Sequence, residues 1–114
     1  MTTDRRAALV ALKDAVEAGT LPDHDADLVK LPREWWEHVV FANSGSTDAA
    51  LALLGAVLPG VQWAIYSRPP GVVASIIADD PSGDLTEFNE FAATPARALL
   101  LAILAALIEQ EAQP

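Results

Sequence analysis

The chain has 114 residues, more than half of them hydrophobic. That is enough for one domain with its own core, and it excludes disorder over most of the length. There is no cysteine, which removes a disulfide framework, a thiolate zinc site and a cysteine nucleophile together. The net charge of −9 is uneven: residues 1–33 are nearly balanced, whereas residues 34–114 carry ten acids against only Arg68 and Arg97. Direct binding to a nucleic-acid backbone is therefore not expected, since phosphates are neutralised by Lys and Arg.

Leu9, Leu12 and Val16 recur at helical spacing, with Ala8 and Ala15 widening the stripe, and predict a helix over residues 4–18 that stops at Gly19. Residues 20–27 form an acidic connection interrupted by Pro22. Pro32 opens a second, short helix, in which Arg33, Glu34, Glu37 and His38 alternate in pairs with Trp35, Trp36, Val39 and Val40. Asn43-Ser44-Gly45 breaks it. Ser46 is a good N-cap for a third helix running to Leu58, with Asp48 complementing the positive end of its dipole, before Pro59-Gly60 stops it.

The rest reads as sheet until the final helix. Val61, Trp63 and Ile65 alternate with Gln62, Ala64 and Tyr66, a strand's period of two. Residues 68–71 make a turn, and the apolar, β-branched run Val72–Ala78 predicts a central strand covered on both sides. After a second turn over residues 79–84, Leu85–Phe91 suits an edge because it carries Glu87 and Glu90. Thr94 caps the last helix and Pro95 begins it. From Ala98 to Ile108 this helix is apolar all round and must be covered on more than one side.

These elements predict an α+β fold: a small three-stranded antiparallel sheet with helices packed on both faces, an α–β–α sandwich whose outer layer includes the last helix. The whole chain, 1–114, reads as a single domain with no internal boundary. The two uncharged apolar runs, Ala49–Leu58 and Ala98–Ile108, fall short of the ~20 residues of a membrane span. The charged opening Met1–Arg6 does not read as a secretory leader. A cytoplasmic protein is expected.

Three stretches carry a family resemblance: Ser46-Thr47-Asp48-Ala49-Ala50-Leu51-Ala52-Leu53, then Leu58-Pro59-Gly60 with Trp63, and Ala93-Thr94-Pro95-Ala96-Arg97-Ala98-Leu99-Leu100. Together they resemble the phage ABA sandwich family of small phage and prophage proteins. In that family a helix leads through a Pro-Gly stop into a tryptophan-bearing strand, a hairpin and a closing helix. The resemblance spans residues 44–111, and residues 1–19 resemble the family's leading helix; residues 20–43 do not fit it. It implies an α–β–α layered domain encoded by a phage, prophage or related element in a bacterial host. It implies no catalytic residue, so none is carried over.

The residues offer few chemical constellations. Asp23-His24-Asp25 with Asp27 is the most metal-like, but it lacks the glycine turn and distal Glu of a calcium loop. His38 stands one helical turn from Glu34, an ordinary surface pair. A small metal-dependent hydrolase using His24 or His38 is the enzymatic alternative; the expectation is a non-enzyme with no metal or cofactor. Trp35 and Trp36 are candidate anchors for a protein partner, with at least one of the pair, and Trp63, expected in the core. Leu101 and Ile108, seven residues apart, form a self-association stripe if nothing in the same chain covers them, giving a homodimer. The acids Asp79, Asp80, Asp84, Glu87 and Glu90 are candidates for a negative surface aimed at a protein. The expected function is that of an accessory protein that binds another protein. The alternative is an acidic inhibitor of a host defence complex, of the anti-CRISPR kind, occupying a basic nucleic-acid-binding surface. That alternative requires the five acids to cluster.

Overall fold

The computed structural model describes residues 2–19, 33–79 and 83–110. The described elements are helices α1 (Thr2–Ala18), α2 (Arg33–Asn43), α3 (Thr47–Val57) and α4 (Pro95–Gln110), and strands β1 (Gln62–Arg68), β2 (Gly71–Asp79) and β3 (Leu85–Ala92). The α+β class holds: four helices accompany a three-stranded antiparallel sheet, ordered β1-β2-β3, against which helices pack.

Local chemistry sets the boundaries. The Ser46 hydroxyl accepts a hydrogen bond from the Ala49 N–H at 3.1 Å, satisfying a donor that the first turn of α3 cannot use internally. Thr94 does the same for α4, accepting from the Arg97 N–H at 3.2 Å. At the other end of α3, Gly60 adopts φ +81°, a left-handed conformation that suits glycine after Pro59 has barred further helix. The β1–β2 hairpin turns through Pro69-Pro70, whose peptide bond is cis, so that Arg68 faces Gly71. Gly71 has a steric reason to be glycine. A Cβ there would collide with the Ala92 carbonyl oxygen of β3 and stand 2.9 Å from Phe91 Cζ.

α4 is the centre of the fold. Ala98 to Leu104 form an unbroken buried run, which only a helix covered around its circumference can have. One side lies on β2 and β3, and α1, α2 and α3 pack on the others. Leu9, Leu12 and Val16 of α1, Val39 and Ala42 of α2, and Leu53 and Leu54 of α3 join it in a single core cluster. Arg97 ties this arrangement together: its guanidinium Nη2 donates to the Asn43 carbonyl at 3.1 Å, placing a cation at the negative C-terminal end of α2. Beside that contact, Arg97 Nε and Asn43 Oδ1 are buried without a hydrogen-bond partner.

Two expectations are corrected. The last helix is the central element, not an outer layer. The described helices also pack on one face of the sheet, so by themselves they do not form the α–β–α sandwich. In register, Val72, Ala74, Ile76 and Ala78 share a face with Ile65, Phe88 and Ala92, and all belong to or pack on the core. The opposite face carries Tyr66, Val73, Ile77, Leu85 and Phe91, none of which enters that cluster. Val73 is nonetheless only 4% exposed. It stands between Tyr66 and Phe91 in register, so a central strand hides a medium side chain behind its cross-strand neighbours without a helix above it. This is why an apolar run on both faces misled the expectation.

Candidate interaction surface

The open face of the sheet is built by alternation. Strand residues two apart share a face, so the register sets out successive rows: Tyr66–Val73–Phe91, then Ala64–Ser75–Asn89, then Gln62–Ile77–Glu87, ending at Asp79–Leu85. In the middle row the Ser75 hydroxyl donates to Asn89 Oδ1, a cross-strand bond that satisfies both polar groups where Ser75 is buried. On either side of this polar row lie apolar side chains open to water. Tyr66 and Phe91 are each 49% exposed and Leu85 is 72% exposed. Shallow depressions of about 250 Å³ and about 220 Å³ run along the face, the second lined by Tyr66, Arg68, Val73, Asn89, Glu90 and Phe91. Both are smaller than the roughly 300–1,000 Å³ typical of small-molecule clefts. The surface is shaped for contact over an area.

The acidic candidates do not form one surface. Asp79 and Glu87 are exposed and share the open face. Glu90 pairs in register with Ala74 on the helix-covered side, where its carboxylate meets Lys13 of α1 at 3.4 Å. Lys13 also reaches Glu17 at 3.4 Å, so this cation is shared between two acids. Asp84 is exposed just before β3, and Asp80 lies outside the described residues.

The aromatic candidates change places. Trp35 and Trp36 are half-buried and packed on the core, so neither stands out as an anchor. The cause is the helical period, which puts Trp35 on the same face as Val39 and Ala42. The exposed aromatic of α2 is Phe41. Trp63, expected in the core, is 46% exposed. It lies on the helix-facing side of β1, but α4 packs on β2 and β3 and leaves β1 overhanging.

The self-association stripe is not available as proposed. Leu101 is 2% exposed and Ile108 packs against the core, both covered within the chain. Asp23, His24, Asp25 and Asp27 lie outside the described residues, and His38 is half-buried on α2. Among the described residues no group of three His, Asp or Glu side chains is arranged to hold a metal ion, and no helix is long and apolar enough to cross a membrane.

Tyr66, Phe91 and Leu85 carried no sequence signal of exposure, because alternation alone does not say which face a helix covers. Compared with family models, curated proteins and solved structures, the chain matches none.

Proposed function

We propose that this protein is a small phage- or prophage-encoded accessory protein, working in the bacterial cytoplasm, that acts by binding another protein through the open face of its sheet. The observation that carries the binding role is the row of exposed Tyr66 and Phe91 around Val73, with Leu85 at the far end. Aromatic side chains standing in water on a rigid strand are suited to become interface anchors, since they supply area at little entropic cost. Support for the origin is the resemblance of residues 46–53, 58–63 and 93–100 to the phage ABA sandwich family. The charge-mimicking inhibitor has less support, because it requires the five acids to cluster, and Glu90 is paired with Lys13 on the other face from Asp79 and Glu87.

The test is affinity capture from a bacterial host with the native chain and with a Tyr66→Ser, Phe91→Ser double variant, whose fold is checked by circular dichroism. A protein retained by the native chain and lost by the variant is the expected result. Retention that survives the variant but disappears as salt is raised would favour the acidic inhibitor instead.

A further inference from the structure

The two edges of the sheet are unlike. β3 carries Glu87 and Glu90 within the strand, and Asp84 stands just before it. A second strand of this acidic chain laid along that edge would set like charges against one another. β1 reads Gln-Trp-Ala-Ile-Tyr-Ser-Arg: no acid, no Pro, no Lys, and its single charge is Arg68 at one end. Its pairing with β2 runs without a bulge. Natural edges are blunted by such devices because unpaired backbone N–H and C=O groups template another strand. β1 has none of them apart from Arg68 at its end.

Burial separates the edges further. Six of the seven residues of β1 are exposed and only Ile65 is half-buried, because the helical layer stops over β2 and β3. Trp63 and Tyr66 therefore stand in water on opposite faces of the same strand. In a chain of net charge −9, this is also the edge where another copy meets no opposing carboxylate from the strand itself.

We propose that β1 pairs antiparallel with β1 of a second copy of this chain, centred on Ile65, to make a continuous six-stranded sheet. The strand is complementary to itself in that register. Tyr66 falls opposite the partner's Ala64 and Trp63 opposite the partner's Ser67, a large side chain against a small one each time. Gln62 falls opposite the partner's Arg68, and Ile65 meets the partner's Ile65 on the twofold axis. Directly opposed side chains approach to about 4.5–5.5 Å between Cβ atoms, close enough for each pair to contribute. The contact is isologous, so it closes at two copies and does not propagate into a fibre. It also joins the two open faces into one surface of twice the width.

Sedimentation equilibrium of the full chain, from micromolar to millimolar concentration, reads the association. A monomer–dimer equilibrium is expected. Gln62→Lys sets a like charge against Arg68 at two places across the axis and is expected to weaken the dimer roughly tenfold. Adding Arg68→Glu to that variant reverses the sign at both places and is expected to recover the lost affinity. Both positions are exposed, so thermal unfolding of the variants verifies that the fold is intact. A chain that stays monomeric to millimolar concentration, or a dimer indifferent to Gln62→Lys, overturns the proposal.

Discussion

α4 and β1 both carry large apolar or aromatic side chains, and the fold treats them in opposite ways. Ala98 to Leu104 of α4 are buried without a break, whereas β1 leaves Trp63 and Tyr66 half in water. Apolarity alone does not place a segment inside. A helix with no polar stripe gains by cover on every side, and α4 obtains it from the sheet and three other helices. The strand at the sheet's rim satisfies its backbone on one side through β2, and of its side chains only Ile65 is half-buried against the core. The first region is where stability resides; the second leaves its large side chains in water.

The sharpest way to test this division is to make the same substitution in the buried core and on the open face of the sheet. Leu100→Ala, at a fully buried position, removes core volume that its packed neighbours cannot refill. It is expected to cost about 2–5 kcal/mol in urea unfolding. Gly71→Ala tests the contact that joins the hairpin to β3. Its methyl group meets a backbone carbonyl, which cannot step aside as a side chain would. A loss of about 1–3 kcal/mol is expected, read as a lower unfolding midpoint. Leu85→Ala, at 72% exposure on the open face, is expected to change stability by no more than about 0.5 kcal/mol. If Leu85→Ala proved as costly as Leu100→Ala, the open face would have to be covered in solution, and the contrast between the regions would fail.

Much of the local structure was legible from short-range chemistry. Ser46 and Thr94 cap the helices that their spacing and neighbours predicted, and the hairpin turn falls at Pro69-Pro70 as the Arg68–Gly71 cluster indicated. Leu9, Leu12 and Val16 went to the core along the predicted stripe. The failures share a cause. Val73 looked like evidence for a second helical layer, Trp63 for a core aromatic, and Leu101 for an external stripe. Each judgement depended on what lies opposite the residue, and a chain's own periodicity does not contain that information. The acids failed likewise: Glu87 and Glu90 are three apart, an odd number, so a strand sends them to opposite faces. That separation was readable; the partner Lys13, far away in sequence, was not.

By itself, then, the sequence determined which segments are helix and strand, their ends to within about two residues, and that one helix had to be enclosed. Caps, turns and periodicity act over a few residues, so they are written locally. Tertiary structure alone decided that α4 sits at the centre, that the described helices gather on one face of the sheet and that β1 overhangs. Those outcomes depend on how many helices gather around α4 and how far they reach across the strands, a competition for a limited apolar cover. The same competition leaves Tyr66, Phe91 and the β1 edge in water.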